Sequence, residues 1–157
     1  MKIKLLQVSK TEEKYLETGI EQYKNRLKHY IGFEEKTLKS PSSAKNKPEN
    51  EQKLAEGKEI LAALSSGDKL FLLDERGKSL SSVEFANFFN KEANMSTKQL
   101  VFVIGGPYGF SEEVYKKADG MLSLSKMTFS HQMVRLFFLE QVYRAFTIIK
   151  GEKYHHG

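Results

Sequence analysis

The sequence predicts an α/β fold, a single-domain layered parallel sheet, on three observations. Short apolar runs bounded by turn residues alternate with segments whose apolar residues recur every three or four positions, the pattern of strands alternating with helices that pairs strands in parallel. The length, 157 residues, suits one domain. The composition, 39% hydrophobic and 11% aromatic, suits a packed core rather than a disordered polar chain.

Taken in order, residues 2–8 (KIKLLQV) read as a strand. Thr11 is the expected N-cap of a first helix, with Glu12 and Glu13 in its first turn, where carboxylates complement the helix dipole. Leu16, Ile20, Tyr23, Leu27 and Ile31 fall on one face of that helix. Residues 33–39 form a weak strand candidate, and residues 40–50, with two prolines and almost nothing apolar, read as a mobile loop. Leu54, Gly57, Leu61 and Leu64 mark a second helix ending at Ser65, Ser66 and Gly67. Residues 69–74 (KLFLLD) form a buried strand, followed by a turn over Glu75, Arg76, Gly77 and Lys78. Ser81 and Glu84 make a capping box ahead of Phe85, Phe88 and Phe89. Residues 100–104 are a further buried strand, broken by Gly105 and Gly106; Ser111 starts a short helix; residues 121–125 are the last strand. The final helix, about 131–150, is apolar nearly all round, which implies burial on more than one side and points to a subunit interface.

Composition excludes several classes of chemistry. Without cysteine there is no disulfide framework, thiolate metal site or cysteine nucleophile. No histidine or acidic cluster has metal-ligand spacing. No stretch reaches the ~20 apolar residues of a membrane span, and residues 1–9 are too short for a signal peptide's apolar region, so the expectation is a soluble cytoplasmic protein. The formal net charge is +5. Within residues 120–157, Lys126, Arg135, Arg144, Lys150 and Lys153 face only Glu140 and Glu152, a bias that suits a polyanion and also suits plain solvated charge.

Ligands of open α/β sheets bind beyond the carboxyl ends of the strands. Three such ends carry suggestive residues: Leu72, Leu73 and Asp74; GGPYGF at 105–110; and LSKMTF at 124–129. The glycines fit neither G-x-G-x-x-G nor a P-loop, which disfavours nicotinamide and nucleoside triphosphate cofactors. LSKMTF reads either as a loop that holds a purine by backbone and apolar contacts or as an ordinary connection with Met127 and Phe129 in the core. No serine sits in a nucleophile elbow, and His131 caps or packs. Glu140 and Arg144 lie four apart on the last helix and share a face; Arg135 and His131 share another.

GGPYGF, LSKMTF-x-HQM-x-R, EQVYRAF and the terminal Tyr154-His155 together resemble the RlmH family, small bacterial methyltransferases of the SPOUT superfamily that modify large-subunit ribosomal RNA. The resemblance covers the whole chain, residues 1–157 as one SPOUT-type methyltransferase domain. It implies a deep trefoil knot in the C-terminal part, a homodimer, S-adenosylmethionine as cofactor, and methylation of N3 of a pseudouridine in 23S ribosomal RNA on the assembled ribosome. By motif, the cofactor contacts are Leu73, Gly105, Leu124, Ser125, Lys126, Met127, Thr128 and Phe129. Glu140, Arg144, Tyr154 and His155 match positions on the substrate side, where Glu140, His155 and bulk water are the candidate proton acceptors. Ser130 stands where relatives commonly have proline, and His156-Gly157 replaces a basic residue. The alternative reading is a non-catalytic RNA-binding or ribosome-assembly module of the same fold.

Overall fold

Strand β1 (Lys2–Val8) lies inside the sheet, covered by helices on both sides, because it is apolar on both faces: Ile3 and Leu5 face one layer of helices and Leu6 the other. The structure, a computed structural model, describes residues 1–39 and 46–157. After β1 follow α1 (Lys14–Leu27), β2 (Gly32–Leu38), α2 (Glu49–Ala62), β3 (Asp68–Ser79), α3 (Ser82–Asn94), β4 (Gln99–Ile104), α4 (Glu112–Lys117), β5 (Gly120–Ser123) and α5 (His131–Ile149). The strands form one five-stranded sheet in the order β2-β1-β4-β3-β5, every pair parallel. Helices α1, α3 and α5 cover one face over a phenylalanine-rich core, in which Phe102 lies 4.9 Å from Phe138 and Phe89 lies 5.1 Å from Phe146. Helices α2 and α4 cover the other face over a smaller aliphatic core. Truncating any of these buried rings to alanine would cost roughly 3–5 kcal/mol.

The strand and helix order matches the sequence reading, with instructive departures. Thr11 does not cap α1, which starts after Glu13 without a side-chain cap. The Thr11 hydroxyl instead accepts a hydrogen bond from Arg135 Nη1 at 3.1 Å. Arg135 is fully buried and gives its other bonds to the carbonyls of Val8 (3.0 Å) and His131 (3.2 Å). A guanidinium so far from water needs every acceptor near it, and that demand outweighs the local cap. The buried stripe of α2 is Glu56, Gly57 and Ile60 rather than a leucine face, and Leu54 is 48% exposed. Gly57 sets this orientation, because its bare backbone admits Ser111 and Val114 at the start of α4. Glu49 and Asn50 already belong to α2, so the loop expected over 40–50 is shorter at that end; residues 40–45 lie outside the described residues.

The turn expected at 75–78 is strand. β3 runs to Ser79, with its register against β5 broken between Leu73 and Lys78. The break lets β3 cross β5 in backbone contact: a Cβ on Gly77 would lie 2.7 Å from Leu122 N and C and from Met121 C. Only glycine fits there. Among the described residues, no helix is long and apolar enough to cross a membrane.

Candidate active site

The carboxyl ends of β3, β4 and β5 converge, as parallel strands in register must, on one cleft of about 700 Å³. That volume lies within the range of small-molecule sites. Leu73 and Gly105 line it from β3 and β4, and Leu124, Ser125, Met127, Thr128 and Phe129 from the segment after β5. Lys126 is exposed on that segment and does not line the cleft. The 124–129 segment is held by its own small polar groups. Ser123 Oγ donates to the Ser125 carbonyl (2.8 Å), Ser125 Oγ accepts from Met127 N–H (2.9 Å), and Thr128 Oγ1 donates to Glu75 (3.1 Å). Met127 is 76% and Phe129 36% exposed, so neither is a core residue.

The glycine loop is a tight reversal. Gly109 N–H donates to the Gly106 carbonyl at 3.2 Å, and Gly109 takes a φ of 81°. A side chain on Gly105 would meet the Phe110 ring at 2.9 Å, and one on Gly106 would meet the Glu56 carboxyl at 2.8 Å. These glycines therefore press the loop onto the core behind the cleft.

Asp74, which the sequence reading singled out at its strand end, lines the cleft together with residues that reading missed. Asp74 accepts from Tyr115 OH (2.6 Å) and from Arg76 N (2.9 Å) and Nε (3.3 Å), and Arg76 Nη2 also touches Tyr115 OH. Burial alone would raise the Asp74 pKa, but the bonds from Arg76 and Tyr115 outweigh it and hold the carboxyl below its ordinary value. Burial and the Asp74 carboxylate push Tyr115 up. Glu49 and Lys53 close one side from α2. The acidic residue ending an apolar strand was the signal that picked out Asp74; Tyr115, Glu49 and Lys53 come from other elements and had none.

Glu140, Arg144, Tyr154 and His155 form a second cluster beside the cleft. Glu140 lines a hollow of about 290 Å³ that shares Leu124, Ser125 and Phe129 with the cleft wall. Arg144 donates to Glu140 Oε1 from Nη2 (2.6 Å) and Nε (3.1 Å), Tyr154 OH donates to the same oxygen (3.0 Å), and Gln141 Nε2 donates to Oε2 (2.9 Å). Arg144 Nη1 lies 3.2 Å from His155 Nδ1. The bond to Glu140 raises the Arg144 pKa, and burial, followed by the Tyr23 and Glu140 contacts, raises that of Tyr154. A Schellman motif ends α5: Gly151 (φ 68°) N–H donates to the Ile148 carbonyl (3.0 Å) and Glu152 N–H to that of Thr147 (2.9 Å), turning the tail back onto the helix. Ser130 caps α5, its hydroxyl accepting from Met133 N–H at 3.1 Å. Gln132 fastens the same first turn to the β1–α1 loop, accepting from Glu12 N–H (3.0 Å) and donating to the Lys10 carbonyl (3.3 Å).

The cleft suits S-adenosylmethionine. Small side chains and a glycine loop leave backbone groups near its wall, Leu124 and Phe129 supply apolar surface for a purine, and Asp74 and Glu75 bring carboxylates for hydroxyl or ammonium groups. Among the described residues no group of three or more acidic or histidine side chains could hold a metal ion.

Comparison with known proteins agrees. The family model described as "Predicted SPOUT methyltransferase" matches residues 1–155. A protein of Christiangramia forsetii named "Ribosomal RNA large subunit methyltransferase H" is 56% identical over 156 residues, 99% of each chain. One of Flavobacterium johnsoniae with the same name is 55% identical over the same share of each. A solved structure, a probable methylase family protein from Haemophilus influenzae, superposes with a TM-score of 0.50 at 14% identity over 99% of this chain and 70% of that one. The fold implies the trefoil knot in the C-terminal part. The chain belongs to the SPOUT methyltransferases, in the family of ribosomal RNA large subunit methyltransferase H.

Proposed function

We propose that this SPOUT methyltransferase, acting as one domain over residues 1–157, takes S-adenosylmethionine in the strand-end cleft and methylates N3 of a pseudouridine in 23S ribosomal RNA on the assembled ribosome, in the cytoplasm. The observation that carries the reading is the meeting of three strand ends at one cleft, walled on one side by the 124–129 segment and adjoining the cluster built on the tail. Leu73, Gly105, Leu124, Ser125, Met127, Thr128 and Phe129 hold the cofactor. Lys126, exposed on the same loop, is a cation that this loop offers to the RNA backbone.

When bound, the cofactor supplies a sulfonium-activated methyl group, so the protein's main task is alignment. A guanidinium only donates, so Arg144 requires the lone pair of His155 Nδ1, which leaves the imidazole proton on Nε2. His155 then offers a donor to a base carbonyl or phosphate. The Glu140 oxygens receive four donors and act as the anchor of the cluster. Water is then the acceptor for the departing N3 proton.

A homodimer accounts for the uncovered apolar surface at the start of α5. Phe137 is 37% exposed and packs at a tilt against Phe129, ring centres 4.9 Å apart, and Tyr15, 65% exposed, reaches Met133. Calorimetry with S-adenosylmethionine, sedimentation, and mass spectrometry of ribosomal RNA from cells lacking the protein test the reading together. The expected results are binding, a dimer at micromolar concentration, and one missing methyl group that the purified protein restores. Ribosome binding without cofactor binding would instead favour a non-catalytic module.

A further inference from the structure

We propose that Tyr23 on α1 and Tyr30 in the turn after it are positioning residues for the substrate-side cluster, acting through the C-terminal tail. The proposal rests on the reading that Tyr154 and His155 serve methyl transfer. Chain termini fray unless tied down, and this tail begins at a glycine that ends α5. Tyr154 and His155 are nevertheless half-buried.

Two walls hold the tail. Helix α5 supplies one: Tyr143 packs edge-on against the Tyr154 ring at 4.8 Å, and the Arg144 guanidinium lies 4.8 Å from that ring's centre. The region of α1 supplies the other. Tyr30 OH donates to Glu152 Oε2 at 2.7 Å, and Tyr23 OH lies 3.3 Å from Tyr154 OH. Since Tyr154 gives its single proton to Glu140, Tyr23 must be the donor in that pair. A directed chain results, from Tyr23 to Tyr154 to Glu140, and it fixes where the phenol ring stands and where His155 follows. Cations brace the wall from outside: Arg26 lies 5.2 Å from the Tyr23 ring centre and 5.5 Å from that of Tyr143, and Lys150 lies 4.8 Å from that of Tyr30. Tyr23 and Tyr30 themselves line neither the cleft nor the hollow beside Glu140.

The variants Tyr23→Phe, Tyr30→Phe and Glu152→Ala, and the double variant Tyr30→Phe with Glu152→Ala, test the clamp in the full chain. Tryptic cleavage after Lys153 reads tail docking directly, without any methyl transfer. Each single variant should be cleaved there at least about threefold faster than the parent, at an unchanged thermal midpoint. On ribosomes, kcat should fall about three- to tenfold with KM for S-adenosylmethionine unchanged, and the double variant should lose no more than Tyr30→Phe alone. A merely structural role would move the midpoint or the cofactor KM instead. Unchanged cleavage overturns the clamp. Faster cleavage with unchanged kcat overturns the positioning role. A parent chain that transfers no methyl group while its variants still release the tail overturns the proposed function and the positioning role and leaves the clamp.

Discussion

The strand-end cleft and the tail cluster lie side by side yet are built by opposite means. Apart from the 124–129 wall, which Ser123, Ser125 and Thr128 hold, the cleft takes its shape from sheet register and bare backbone: Gly77 under Leu122, Gly105 against Phe110, Gly106 against Glu56. The tail cluster is side chain against side chain, with Glu140 collecting donors from Arg144, Gln141 and Tyr154. A site made by backbone breaks only when the fold is disturbed, whereas one made by a few polar contacts can be taken apart with the fold intact.

Gly77→Ala should have the largest effect. The added methyl would lie 2.7 Å from main-chain atoms of Met121 and Leu122, which cannot rotate away. Overpacking against backbone costs about 3 kcal/mol, which in a chain of this size lowers Tm by roughly 6–12 °C. β3 and β5 should part where they carry Asp74 and the 124–129 segment, so calorimetry should find cofactor binding weakened along with stability. Below the midpoint the tail should keep its resistance to trypsin after Lys153. Loss of tail protection at the same temperature would show the two sites to be one unit.

Removing residues 154–157 is the converse and should come next in size. It takes away Tyr154 and His155 and leaves every cleft-lining residue in place. Cofactor affinity and dimerisation should survive, while methyl transfer to ribosomes falls at least about tenfold, a loss of roughly 1.4 kcal/mol in transition-state stabilisation. Unchanged transfer would make the tail inert.

The contrast also explains what could be read in advance. The cleft was legible because its makers are contiguous: apolar strands ending in GGPYGF and LSKMTF declare both the sheet and its carboxyl edge. The capping box at Ser81 and Glu84 was legible for the same reason, and both of its bonds are present. Tyr115, Lys53 and the tyrosine wall were not, since each meets its partner across a sequence gap with no periodic signature. Tyr30 and Glu152, for example, are 122 residues apart. Thr11 fits a local cap, and a buried arginine 124 positions away claimed its hydroxyl instead. The turn expected after Asp74 failed because Gly77 looks like a turn glycine but serves a strand crossing.

The smallest expected effect sharpens the account of the cleft itself. Glu56 projects from α2 against the glycine loop, its carboxyl oxygens 2.8 and 3.0 Å from where a Gly106 Cβ would stand, and only 9% of the residue is exposed. Burial pushes its pKa above the ordinary carboxylate value. The folded chain thus holds this proton more tightly than the unfolded chain, so the associated stability is present at low pH and is lost as pH rises through the raised value. Glu56→Gln removes the charge and keeps the shape. The variant should match its parent near pH 4, where both side chains are neutral, and gain on it as pH rises, levelling off once the parent carboxyl is ionised. The expected gain is small, about 1–2 °C in Tm at pH 8. Thermal melts at half-unit pH steps would trace the curve. A loss of stability at pH 8, accompanied by weaker cofactor binding, would mean that the ionised carboxylate holds the glycine loop in place, and the glycine side of the cleft would then depend on a side chain as well.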